Sequence, residues 1–316
     1  MNRRRFVLFA ASWALIPSEV PARSRLPVVG VLDPGDPTEF ATEFRNALIG
    51  LGYIEGKNIR LEIRSGGNNA DTLARRAEEL VRLKVDVIAV RLTPALRAAT
   101  QATHEIPVIM SSVGSPVETG FVASLAHPGG NVTGMSLGGV PLSAKRLQII
   151  REVLPSLRRL AVVTNRDEPY SEMIASTMDR LGSEFGIQTI EIRTTGSTLV
   201  ASLATMEHER PDAIFALASL PAQPIAEVAL RLRMPYFSTQ RTAVEAGALM
   251  SYSGRLDEQF QGAAMYVDKV LKGAKPANLP VEEPSRFELS INMKTARVLG
   301  ITIPRTLLAQ ADALIE

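Results

Sequence analysis

The chain has 316 residues, 46 % of them hydrophobic, with 35 Lys+Arg against 33 Asp+Glu and no cysteine. That is enough apolar material for one large or two medium domains with real cores. It excludes a disordered chain, a disulfide scaffold, a thiol catalyst and a lipid-modified N-terminal cysteine.

At the N-terminus Arg3, Arg4 and Arg5 precede an apolar run over 6–16, and Val20-Pro21-Ala22 offers a small-residue cleavage site. This is the three-part form of a secretory leader over 1–22, with an apolar stretch too short to span a bilayer. Arg3-Arg4-Arg5-Phe6-Val7 also fits a twin-arginine signal, so both export routes stay open. Removing the leader takes away Arg3, Arg4, Arg5 and Glu19, leaving 32 basic against 32 acidic side chains, and no nucleic-acid footprint survives.

From residue 26 onward strands and helices alternate. Strands are expected over 26–32, 58–64, 85–90 and 106–110, and helices over 72–84 and 94–103. The helix after the first strand carries Phe40, Phe44, Ala47, Leu48 and Leu51 on one face. A glycine-rich loop and a strand follow, HPGGNVTGMS over 127–136, and its glycines suit either a phosphate cradle or a chain turning between lobes. The alternation then restarts with a helix over 142–154. Strands at 160–164, 188–193, 213–217 and 236–238 interleave with helices at 171–185, 199–208 and 225–233. This order implies βαβ units and two similar lobes built on parallel sheets. A helix over 256–271, a proline-bearing stretch, a strand over 287–291 and two terminal helices complete the chain.

Ligands of parallel sheets bind beyond the strands' carboxyl ends. There the sequence places Asp36-Pro37-Thr38-Glu39, Thr93-Pro94 and Ser115-Pro116-Val117-Glu118, each of which reads as a capped helix start presenting free N–H groups to an anion. Arg91, Arg166 and Arg241 fall at strand exits and could grip a carboxylate; Tyr170 and Tyr252 could face an apolar ligand body. The expected binding set is Asp33, Gly35, Arg91, Thr93, Pro94, Gly114 and Ser115, together with Asn165, Arg166, Ser219, Arg241 and Tyr252. Arg241 is the preferred anchor in the second lobe and Arg166 the alternative.

Catalytic machinery is thin. His104, His127 and His208 have no metal-ligand spacing, and no G-x-S-x-G, G-x-x-x-x-G-K-[ST], H-E-x-x-H or G-x-G-x-x-G occurs at the relevant turns. The expectation is a binding protein that is not an enzyme and takes no metal or cofactor.

The stretches ALIGLGYIEGKNIRLEIR (47–64), Thr93-Pro94-Ala95, PVETGFVASLAHPGGNVTG (116–134), VEAGALMSY (244–252) and INMKTARVLGITIP (291–304) resemble the substrate-binding proteins of bacterial ABC importers, some of which bind aromatic amino acids. The resemblance implies a two-lobed α/β fold of type I periplasmic-binding-protein kind, joined by a three-crossing hinge. It implies one lobe from 26–137 plus 252–281 and the other from 138–251 plus 282–316. It makes the glycine-rich loop the approach to the first crossing, since a strand and not a helix follows it. Relatives often carry an acidic, aromatic stretch where this chain reads ASLPAQP (218–224), which removes one carboxylate expected to meet a ligand ammonium. The implied role is periplasmic capture of a small organic ligand, amino-acid-like or another carboxylate, by a monomer serving an inner-membrane permease and its ATPase. A ligand-sensing subunit for a membrane receptor and an exported α/β enzyme are the rival readings. A repressor of similar fold is set aside because a leader stands where DNA-binding helices would be.

Overall fold

The computed structural model describes residues 25–138 and 140–316, so the leader lies outside the described residues. Among these, no helix is long and apolar enough to cross a membrane.

Strands β1 (Val28–Asp33), β2 (Arg60–Ser65), β3 (Val87–Arg91), β4 (Val108–Val113) and β5 (Val132–Ser136) form one sheet in the order β2-β1-β3-β4-β5, with every neighbouring pair parallel. Helices α1 (Thr38–Gly50), α2 (Ala70–Arg82) and α3 (Leu92–Ala102) connect its strands. The period-two rule is visible in β1: Val28 and Leu32 enter one apolar cluster, Val29 and Val31 another on the opposite face. Both faces are buried, as a parallel sheet requires.

The chain then leaves β5 for α4 (Pro141–Val153), β6 (Arg159–Asn165), α5 (Pro169–Glu184), β7 (Gln188–Thr194), α6 (Leu199–Leu203), α7 (Met206–Glu209) and β8 (Ala213–Ala216). It continues through α8 (Ala222–Arg231), β9 (Tyr236–Ser238), α9 (Arg241–Glu245) and β10 (Met250–Gly254). The second sheet runs β12-β11-β10-β9-β8-β6-β7, with β11 (Phe287–Asn292) antiparallel to β10 and β12 (Ala313–Ile315) parallel to β11. Two mostly parallel sheets flanked by helices thus make an α/β protein of two lobes.

Between β10 and β11 lies α10 (Leu256–Leu271), which returns to the first lobe and packs Phe260 and Val267 with Phe40 and Phe44 of α1. Met135 of β5 sits so close that a Cβ on Gly262 would lie 2.4 Å from its sulfur, and the glycine lets the helix approach. Beyond α10, Ser136 donates its N–H to the Glu282 carbonyl (2.8 Å) and Glu282 donates to the Gly134 carbonyl (3.0 Å). Gly254 meets Pro284. The chain near 136, near 254–255 and over 282–286 therefore runs side by side. In the glycine-rich loop Gly134 has a φ of +129° and its Cα faces the Met110 carbonyl, which no side chain would tolerate.

Five details differ from the sequence reading, the first being that α3 starts at Leu92, so that Thr93 lies inside the helix and does not cap it. No helix follows Ser115; residues 115–120 form a turn in which Ser115 has a φ of +42° and its carbonyl accepts from Thr119. Helix α1 begins at Thr38, one residue later than read, while the Asp36 carboxylate still accepts the Thr38 N–H at 2.9 Å. The helix read over 199–208 divides into α6 and α7, because Ala204 and Thr205 bond three residues back and the Thr205 hydroxyl takes the Ser202 carbonyl at 2.7 Å. Strands β10 and β12 and helix α9 lack a strong period and are set by their sheet neighbours.

Candidate functional site

The carboxyl ends of β1, β3 and β4 face those of β6 and β8 across the space between the lobes. Asp33, at the end of β1, is fully buried. Its carboxylate accepts from the Gly35 N–H at 2.8 Å and from the Arg91 Nη2 at 3.3 Å, with Arg91 Nε as a further donor. Asp33, Gly35 and Arg91 thus form one network inside the first lobe, and both charges of the pair are matched there.

The next exits carry backbone strain. Leu92, Ser112 and Ser115 have φ values of +63°, +57° and +42°, a region that side-chain-bearing residues adopt at roughly 1–3 kcal/mol each. The Ser112 N–H is held by the Gln259 side chain at 3.1 Å, and the Gly114 N–H donates to the Thr93 hydroxyl at 3.4 Å. Strain kept at these strand exits makes the turns candidates for a site.

The opposing lobe answers with Glu168, in the turn before α5. It is buried, and its carboxylate accepts hydroxyl hydrogen bonds from Ser219 and Ser171 of its own lobe and exchanges one with Thr93 of the first. Beside it Asn165 is buried, donating to the Ser219 carbonyl at 3.2 Å and accepting from the Asp167 N–H at 3.0 Å. Arg97 of α3 reaches the Asp167 carbonyl at 3.4 Å, and the Tyr170 ring lies on Gly114. Next to these contacts is a groove of about 310 Å3 lined by both lobes, with Asn68, Pro94 and Arg97 on one side and Asn165, Asp167 and Ser219 on the other.

Burial pushes the Glu168 carboxyl above its ordinary 4.5, with the three hydroxyls opposing. A raised acid contributes stability that is complete below 4.5 and is lost as pH rises through the raised value. The melting temperature should therefore fall across that window, and Glu168→Gln should flatten the fall. Melting curves of the two proteins against pH check this; parallel curves would contradict it.

Apart from that groove, against the second lobe's sheet beside Phe215, Phe237 and Tyr252, lies Arg146, a charged residue on the buried stripe of α4 with Ser143, Leu147, Ile150 and Val153. Its Nε donates to the Tyr252 carbonyl at 3.0 Å, and its guanidinium hydrogen-bonds Tyr170. Arg146 is 4 % exposed, its Nη1 has no hydrogen-bond partner among the described residues, and no carboxylate there lies within ion-pair distance. The Ser143 and Ser115 hydroxyls are likewise buried without partners. A buried guanidinium without a counter-charge is costly, and an anion delivered to it relieves that cost.

The twelve residues named from sequence divide accordingly. Thr93, Gly114, Asn165 and Ser219 meet around Glu168; Pro94 lines the groove; Ser115 and Tyr252 flank the Tyr170–Arg146 pair. Arg166 is exposed. Arg241, half-exposed at the start of α9, pairs with Glu245 at 3.0 Å and Glu288 at 3.6 Å in its own lobe. Sequence reasoning missed Arg146, whose signal is a charge on an apolar helical stripe, and Glu168, which no local pattern singles out. Among the described residues no group of three or more His, Asp or Glu could hold a metal.

A family model described as ABC transporter substrate binding protein matches residues 37–315. A tyrosine-binding protein of Clostridioides difficile (strain R20291) is 29 % identical over 266 residues, 82 % of this chain and 75 % of that one. Among solved structures, a conserved domain protein from Vibrio cholerae is similar at 26 % identity with a TM-score of 0.85, over 92 % of this chain and all of that one. A domain from Streptococcus pneumoniae in complex with L-Trp is similar at 23 % identity with a TM-score of 0.84 over the same shares.

Proposed function

The chain belongs to the ABC transporter substrate-binding protein family, and we propose from that premise that it captures a small organic carboxylate between its lobes. In this reading the ligand's carboxylate meets Arg146, and its body lies along Thr93, Ser115, Asn165 and Ser219. Binding energy shifts an open–closed equilibrium and breaks no bond. The observation that carries the carboxylate is the buried Arg146 guanidinium without a counter-charge. That relatives are named for tyrosine and complexed with L-Trp supports an amino-acid-like ligand.

The protein is exported, loses residues 1–22, and works as a periplasmic monomer that delivers its closed form to an inner-membrane permease with its ATPase. The leader's composition supports this, and sequencing of the functional protein should find an N-terminus near Arg23. An intact Met1 would contradict it. Mass spectrometry of small molecules released from the gently unfolded protein tests the ligand class: a solute bearing a carboxylate supports the reading, and a cargo with no carboxylate overturns it.

A further inference from the structure

Gly114 and Gly196 stand on opposite lobes, and neither has a φ in the left-handed region, so neither lobe's backbone demands glycine there. The reason lies across the cleft. A Cβ on Gly114 would have Cδ1, Cε1 and Cγ of Tyr170 at 2.4–2.5 Å, and one on Gly196 would lie 2.8 Å from the Asn68 Cβ and closer still to the Asn68 carbonyl oxygen. Each obstacle belongs to the other lobe. Neither can step aside easily. Tyr170 is 3 % exposed, follows Pro169 at the start of α5 and is tied through its hydroxyl to Arg146. The obstacle at Asn68 is backbone, and its N–H is anchored to the Pro34 carbonyl at 2.7 Å.

We propose that Gly114 and Gly196 are positioning residues for capture, each a seat for the opposite lobe, so that a single methyl group at either holds the cleft open while leaving both lobes intact. This rests on the reading of a protein that closes on its cargo. The two seats differ in a way that can be tested. The clash at 114 is with a side chain and is removable by truncating it; the clash at 196 is first with a carbonyl oxygen and is not.

The chain has no cysteine, so a pair introduced as Arg97→Cys and Asp167→Cys, where the lobes touch, reports the closed form through its rate of linkage by a short bismaleimide, with no ligand added. Overpacking of this kind should lower the closed population, and hence the rate, by about tenfold or more in Gly114→Ala and in Gly196→Ala. Tyr170→Ala should restore the rate in the Gly114→Ala background, and Asn68→Gly should not restore it in the Gly196→Ala background. Melting temperatures of the two alanine variants should match the parent's. Unchanged linkage in either alanine variant, or lack of rescue by Tyr170→Ala in a folded protein, would overturn the proposal. A parent pair that never links would overturn it together with closure itself. Release of a non-carboxylate cargo would sink the carboxylate reading and leave these ratios untouched.

Discussion

Arg146→Met should weaken binding of the carboxylate cargo by about 10- to 100-fold while changing the protein's stability by only ~1 kcal/mol. A hydrogen bond to a charged group contributes about 1.5–3 kcal/mol, and 1.4 kcal/mol is a factor of ten in affinity. The small effect on stability follows from two opposing consequences. Removing the side chain takes an unmatched buried charge out of the second lobe, which is favourable. It also leaves the Tyr252 carbonyl and the Tyr170 hydroxyl without a partner, which is not. Arg146→Lys should recover part of the affinity, since the charge returns without the two-pronged geometry. Calorimetric titration with the released solute, beside thermal melts, separates binding from folding. Native affinity in Arg146→Met would remove Arg146 from the site, and a matching loss in Arg241→Ala would return the anchor to the arginine at the start of α9.

Phe260→Ala should destabilise the first lobe by about 3–5 kcal/mol, a large fraction of the roughly 5–15 kcal/mol that holds an ordinary domain. Phe260 is 1 % exposed and its ring centroid lies 5.2 Å from that of Phe40, which in turn lies tilted at 5.5 Å from that of Phe44. These rings fasten α10 to α1, and α10 is contributed by chain that has already passed through the second lobe. Truncation therefore loosens the return of the tail as well as leaving a cavity. Denaturant unfolding should show an early transition, with amide exchange rising first in β4 and β5, against which α10 packs. A single transition within ~1 kcal/mol of the parent would show that α10 is not what seals this lobe.

Much of the architecture was legible because its signals are local. The continuous apolar run of β1, and the spacing of Phe40, Phe44 and Leu48 in α1, are properties of a few consecutive residues. The capping motif at Ser115 misled because that serine is itself left-handed, with a φ of +42°, and its carbonyl accepts from Thr119 to close a turn where a helix was read. The sequence pointed to the strand exits, and there the structure brings Thr93, Gly114, Asn165 and Ser219 together in the candidate site. What joins them, Glu168, is a charged residue in a turn whose burial depends on the other lobe. Arg146 left a trace as a charge among Leu147, Ile150 and Val153, while the reading turned to the arginines at strand exits, of which Arg166 and Arg241 are exposed.

Small-angle X-ray scattering of the purified protein, with and without its released and identified solute at saturation, tests the capture mechanism most directly. The account predicts a smaller radius of gyration with the solute bound, as the lobes close along the contacts of Thr93 with Glu168 and Gly114 with Tyr170. Saturation confirmed by calorimetry with an unchanged scattering profile would contradict it.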